Sequence, residues 1–262
     1  MDSPNRRKFL ISTGATIATA SLSGKALGRK DKQEIIDLHQ HTNYSGRNDI
    51  RLLRHQKALG AKWTVLLPAG RKYGLGAICG GNKSVRKIVV KNPNNYVHFA
   101  NEIADHPECI QTIEIYLKKG ALGIGEQKFR VNCDSKHIER IAELAQEYDV
   151  PVLMHFEYGN YNTGIERFHK ILEKFPKVNF IGHAQTWWGN IDKNHQQKVM
   201  YPKGKVIPSG ISDRLLQDYP NMYGDLSANS GQNALIRDET HAIDFIKRNQ
   251  DKLIYGSDCN DL

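Results

Sequence analysis

The chain has 262 residues, 39% hydrophobic and 25% charged, which excludes a disordered or fibrous protein and describes a soluble globular one. Its formal charge of +9 raises the question of nucleic-acid binding, but the first 28 residues carry +3 of it (Arg6, Arg7, Lys8 and Lys25 against Asp2). The remaining +6 is scattered in pairs such as Lys118-Lys119 and Lys247-Arg248, so a solvated surface is expected and a nucleic-acid partner is not.

The chain opens on Arg6-Arg7-Lys-Phe-Leu10 and a mild apolar segment from Ile11 to Leu22. A basic stretch followed by a short apolar one is an export signal, too short for a mature membrane anchor. The string resembles a twin-arginine signal, which implies the twin-arginine export machinery as a partner and a periplasmic or secreted location. Residues 1–28 are therefore expected to be the signal peptide and 29–262 the functional domain. Cys79, Cys109, Cys133 and Cys259 are widely spaced and form no Cys-x-x-Cys, which supports neither a zinc knuckle nor a dense disulfide framework.

Beyond the leader, short apolar runs alternate with helical patterns. Strands are expected at 34–38, 63–67, 96–100, 121–125, 151–154, 178–182, 222–225 and 253–257, and helices at 49–59, 83–90, 107–118, 135–148, 213–219 and 239–248. Thr163 and Glu166 have the spacing of a capping box for one more helix, with Ile165, Phe168, Ile171, Leu172 and Phe175 on its inner face. The Gly-rich loop at 74–81 has neither a dinucleotide fingerprint nor the Lys-Ser/Thr of a phosphate loop. A long connection at 184–211 has the length of a lid or binding loop. Continuous apolar runs bounded by glycine and alternating with amphipathic helices mean buried parallel strands. Eight of them predict an α/β (β/α)8 TIM barrel. Only four residues follow Asp258, so the final helix of the barrel is expected to be lacking.

The candidate chemistry sits at the ends of these strands. His39 and His41 are two residues apart on the first, where side chains i and i+2 leave one face. Eleven histidines in 262 residues give about 0.5 such pairs by chance, so the pair alone is weak. Glu126, His155, His183 and Asp258 then end strands four, five, six and eight. In a barrel these ends converge on one mouth. Imidazoles and carboxylates together suit a divalent cation, Zn²⁺ foremost, with Mn²⁺ or Fe²⁺ as alternatives.

Asp37-Leu-His-Gln-His41, Gly125-Glu126, Val152-Leu-Met-His155, Ile181-Gly-His183 and Gly256-Ser-Asp258 resemble the amidohydrolase superfamily, within it the amidohydrolase-related branch of TIM-barrel metal-dependent hydrolases. The resemblance implies that His39, His41 and Asp258 bind one metal, and that His155 and His183 complete it or serve a second. It places Glu126 where other members have a bridging carboxylate or a modified lysine; Lys128, two residues on, is the alternative at that strand. Asp37 is expected to be a strand-end residue, or one that orients an imidazole N–H from behind, and not a ligand. A cation held in this way acidifies bound water towards a pKa of about 7, and Asp258 beside that water is expected to accept its proton.

The substrate is less legible. Trp187 and Trp188, with Tyr158 and Tyr161, could form an aromatic wall for a small molecule, Asp225 and Ser227 could contact it, and Lys128 could neutralise a carboxylate on it. The first expectation is hydrolysis of an amide, lactone or ester bond of a small molecule. The second is a metal-dependent decarboxylase of the same superfamily. A TatD-like nuclease is disfavoured by the leader and the absence of a basic stripe, and a non-catalytic binding barrel requires a site unable to hold metal.

Overall fold

A computed structural model describes residues 34–70 and 78–261. The basic leader and part of the Gly-rich loop lie outside the described residues. The first half of the chain runs β1 (Ile35–Gln40), α1 (Asp49–Leu59), β2 (Ala61–Leu66), α2 (Asn82–Lys91), β3 (Tyr96–His98), α3 (Cys109–Lys118), β4 (Ile124–Gln127) and α4 (Lys136–Tyr148). The second runs β5 (Val152–His155), α5 (His169–Lys174), β6 (Phe180–His183), α6 (Gln185–Gly189), α7 (Ile211–Asp218), β7 (Met222–Asp225), α8 (Ala228–Ile236), α9 (Glu239–Asn249) and β8 (Leu253–Ile254).

The strands are all parallel and lie in sequence order, in one ladder from β1 to β3 and another from β4 to β8. Backbone hydrogen bonds cross both seams. Ala100 N donates to Gly123 O and Gly125 N to Ala100 O, each at 2.9 Å. On the other side Leu38 N donates to Tyr255 O at 3.0 Å and Asp258 N to His39 O at 2.8 Å. This is the (β/α)8 arrangement that the alternating pattern predicts.

Two packing layers account for it. Leu38, Val65, Val97, Leu153, Ile181 and Ile254 fill the space inside the strands, as branched residues do in such barrels. A larger layer outside joins the strands to the helices, with Ile138, Ile141, Ala142 and Ala145 of α4 and Ile171 and Leu172 of α5 facing inward. Helix starts follow local chemistry: Asn48, Ser135 and Asp238 each accept a backbone N–H of the helix they precede.

Three local expectations are corrected. The Thr163–Glu166 capping box does not form, because Gly164, at φ 86°, starts a single 3-10 turn (Ile165–Arg167) and Thr163 Oγ1 donates to Asn132 Oδ1 instead. The connection at 184–211 contains α6, a short buried helix immediately after β6. The helix α8 was not expected at all, since Asn229, Ser230, Gly231 and Asn233 give it a poor intrinsic propensity.

Candidate metal centre

The strand ends deliver their polar side chains to one mouth. On β5 and β6, Leu153 and His155, and Ile181 and His183, are two positions apart, so the apolar member plugs the barrel and the polar one opens onto its end. Asp258 lies beyond β8 and is brought to the same mouth by its backbone bond to His39. On β1 the register with β2 is irregular between Asp37 and Gln40. That irregularity lets Leu38 join the interior while His39 and His41 turn to the mouth. Gly256 is needed here: a Cβ on it would stand 2.7 Å from Asp225 Oδ1 and 2.9 Å from His39 Cβ.

His39 Nε2 lies 3.1 Å from His41 Nε2. Glu126 Oε2 is 3.7 Å from the first and 3.5 Å from the second, and Asp258 Oδ1 stands at the same two distances. His183 Nε2 is 3.7 Å from Glu126 Oε1 and 3.9 Å from Asp258 Oδ2. Ligands on one cation at bonds of about 2.0–2.2 Å are separated by roughly 3–3.5 Å, close to this spacing. His155 stands one step back, with Nδ1 2.5 Å from Glu126 Oε1 and Nε2 3.3 Å from Glu157 Oε2. Glu126, His155 and His183 also form a group of their own with donor atoms close enough to share an ion.

The outer nitrogens of three of these rings are committed elsewhere. His39 Nδ1 donates to Asp225 Oδ2 at 2.6 Å and His41 Nδ1 to the carbonyl of Leu67 at 2.8 Å. His183 Nδ1 faces Ser227 Oγ at 3.2 Å, and that hydroxyl donates to Asp225 Oδ2 at 2.9 Å. These partners assign the proton to Nδ1 in each ring, which leaves three Nε2 lone pairs pointing at one another and at two carboxylates. Such an arrangement is stable only around a positive charge. Asp258 Oδ1, buried and without a hydrogen-bond partner among the described residues, makes the same demand. The residues therefore fit a divalent cation.

The carboxylates of the cluster draw positive charge, a proton or a cation alike, towards its centre. Burial works against a charge on His39, but the carboxylates of Asp258 and Asp225 outweigh it and hold its proton affinity well above the usual histidine value. His41 goes the other way, lowered by burial and by its neighbour His39. Glu126 is ionised despite burial, because His155 and His39 hold its carboxyl well below the usual range. Burial and the charges of Asp258 and Glu126 push the Tyr44 hydroxyl far up, so it remains neutral. Its ring meets His41 edge-on at 4.9 Å.

The structure thus brings His39, His41, Glu126, His155, His183 and Asp258 together, and it relocates the rest. Asp225 is fully buried behind His39, so it has no face for substrate and orients imidazoles instead. Asp37 takes the strand-end role of the two expected: its carboxylate accepts from His39 N, Ser257 N and Ser257 Oγ and so ties β1 to the segment after β8. Trp187 and Trp188 form no aromatic wall. They are 0% and 2% exposed, and Trp187 occupies the space over Gly182, where an added Cβ would lie 2.4 Å from its ring. Lys128 is outside the donor cluster, with its ammonium 5.4 Å above the Tyr161 ring. Ser227, expected as a substrate contact, lies between His183 and Asp225 instead. Tyr44, Glu157 and Arg47 belong to the site or its support without a signal in the sequence; they sit in polar turns where no periodicity marks them.

No family model matches the chain, and no curated protein sequence does. Solved structures do match. An uncharacterised TIM-barrel protein from Bordetella bronchiseptica has a TM-score of 0.60 at 16% identity, over 86% of this chain and 85% of its own. A probable 2-pyrone-4,6-dicarboxylic acid hydrolase from Acinetobacter baumannii, with citric acid bound, has 0.56 at 13%, over 87% and 84%. A 2,6-dihydroxybenzoate decarboxylase complexed with 2,6-dihydroxybenzoate has 0.54 at 12%, over 87% and 89%. At these identities the likeness is one of fold, and the chain is a (β/α)8 TIM-barrel protein.

Proposed function

We propose that the protein is a divalent-metal-dependent hydrolase of the amidohydrolase superfamily, acting on an amide, lactone or ester bond of a small molecule. One observation carries this reading: His39, His41 and His183 present lone pairs at one point, against Glu126 and an unpartnered Asp258 oxygen. Zn²⁺ is the first candidate, with Mn²⁺ and Fe²⁺ next. His39, His41 and Asp258 would hold one ion, with Glu126 and His183 completing it. A second ion would fall between Glu126, His155 and His183. The bound cation supplies an acidified water and a pull on the substrate oxygen.

The chain's own groups supply the rest. Asp258 has one carboxylate oxygen without a hydrogen-bond partner among the described residues. It can take a proton from the attacking water and return it to the leaving group. Asp225 and Ser227 keep His39 and His183 in the tautomer that faces inward. Glu157 reaches His155 Nε2 at 3.3 Å and steadies that ring from outside. The Arg6-Arg7 string supports the further proposal that the protein is exported.

The test is metal analysis of purified protein, followed by assays of lactone, ester and amide panels after chelation and reloading. Turnover that needs metal and yields the ring-opened or cleaved acid supports the hydrolase. Metal-dependent release of CO₂ from an aromatic acid identifies the decarboxylase reading instead, the activity named for one fold neighbour. A chain that binds no divalent ion ends both.

A further inference from the structure

We propose that Arg47 is a positioning residue of the metal centre: it clasps the end of β1 to the segment after β8 and so sets Asp258 against His39 and His41. The inference rests on the metal-centre reading above. Arg47 follows the short turn Tyr44–Gly46 and is 1% exposed. Its Nη1 donates to Cys259 O at 2.8 Å and to Asp261 Oδ2 at 2.5 Å. Its Nη2 donates to His41 O at 2.7 Å and to Gln40 Oε1. One planar fork therefore grips a ligand residue, His41, on one side and the residue next to another ligand, Asp258, on the other.

The position of Asp258 needs such a grip. Its backbone is left-handed, at φ 47°, a conformation a non-glycine residue keeps only when its surroundings impose it. The surroundings are the seam. Asp258 N donates to His39 O at 2.8 Å, and Gln40 Nε2 donates to Ser257 Oγ at 2.7 Å and Cys259 O at 3.1 Å. Arg47 joins that seam with four contacts that a lysine cannot reproduce from one nitrogen.

The same contacts explain a nearby group that resembles a metal site. His55, Cys259 and Asp261 bring their donor atoms close together. Asp261 Oδ1, however, already accepts from His55 Nδ1 at 2.7 Å, and Oδ2 takes the guanidinium. The carboxylate is matched by a buried cation of the chain itself, so His55 and Asp261 are the outer end of the clasp. Burying a guanidinium is tolerated only with such pairing.

The test uses the full chain and compares Zn²⁺ and Co²⁺ affinity by chelator competition in the unaltered protein, Arg47→Lys and Asp261→Asn. The second variant loosens the clasp from its half-exposed end and guards against loss of folding, which the melting temperature of the metal-free protein monitors. Affinity is expected to fall about 10–100-fold in both, the usual effect of losing an outer support of a ligand. Repeating Arg47→Lys in an Asp258→Asn background distinguishes positioning from general loosening. There the further loss is expected to shrink to less than about threefold, because coupled residues are not additive. Equal losses in both backgrounds, or unaltered affinity in both single variants, overturn the proposal. If the unaltered protein binds neither ion, the metal-centre reading has failed, and the clasp has nothing to position.

Discussion

His39 Nδ1 and Asp225 Oδ2 stand 2.6 Å apart, and neither side chain is exposed to solvent. The carboxylate fixes the imidazole proton on the outer nitrogen and makes the inner one a better ligand. Ser227 and His183 lean on the same oxygen, so one buried group orients two rings. Asp225→Asn keeps the volume and removes the charge. Its metal affinity is expected to fall about 10–100-fold, measured by chelator competition. An affinity equal to that of the unaltered chain would show that His39 orients itself.

The proposed function gives Asp258 two roles, ligand and proton acceptor, that a single substitution separates. In Asp258→Asn the amide oxygen can still approach a cation, but it cannot accept a proton from water. With metal in excess, kcat is expected to drop about 10²–10⁴-fold, the range for loss of a general base. Occupancy measured on the same sample should remain near one equivalent per site. Full turnover in the occupied variant would remove Asp258 from the proton path.

Removing the ion should also be visible without any substrate. A ligand that binds only the folded state adds about 2.7 kcal/mol of stability when present at 100 times its dissociation constant. Thermal unfolding with Zn²⁺ in that excess should therefore lie several degrees above unfolding in chelator. The gap should narrow in His41→Ala, which takes away one of the lone pairs at the centre. A melting temperature indifferent to Zn²⁺ in the unaltered protein would contradict the fit of these residues to a cation.

Trp187 shows where residue type misleads. Two adjacent tryptophans in a long connection read as a binding surface, yet Trp187 is fully buried and stacks on Phe156 at 5.9 Å. The sequence does not reveal that Gly182 leaves room for the ring beneath it. Trp187→Ala is expected to cost about 3–5 kcal/mol of stability, read from the denaturant midpoint; a loss of substrate affinity at unchanged stability would restore the wall.

The barrel was readable for a physical reason. A buried parallel strand must be apolar along its length, and a polar side chain at its end stands out, as His155, His183 and Asp258 do. Asp225 is also a polar residue ending such a run, and nothing local tells a ligand from the group behind it. Arg47 and Tyr44 lie in a turn without periodicity, and their partners are 214 residues away for the Arg47–Asp261 pair. Contacts of that separation leave no trace in spacing.

Asp213 and Arg248 tie α7 to α9, and they set part of the acid stability. Arg248 Nη2 is 2.8 Å from Asp213 Oδ2, and Ser209 N and Gln217 Nε2 also donate to the carboxylate. Burial alone would raise its pKa, but these donors, led by Arg248, hold it below the ordinary aspartate value of 3.8. A depressed folded-state pKa contributes stability that is fully present above the unfolded value and lost as pH falls through the folded one. Asp213→Asn should therefore be less stable than the unaltered chain at pH 7, by about 1–3 kcal/mol for hydrogen bonds to a charged group. The two should converge as the pH drops below 3.8. Denaturant unfolding at pH 7, 3.5 and about 2 spans that window: a gap that stays constant or widens down to the lowest pH would mean that the carboxylate stabilises the protein by packing and not by charge.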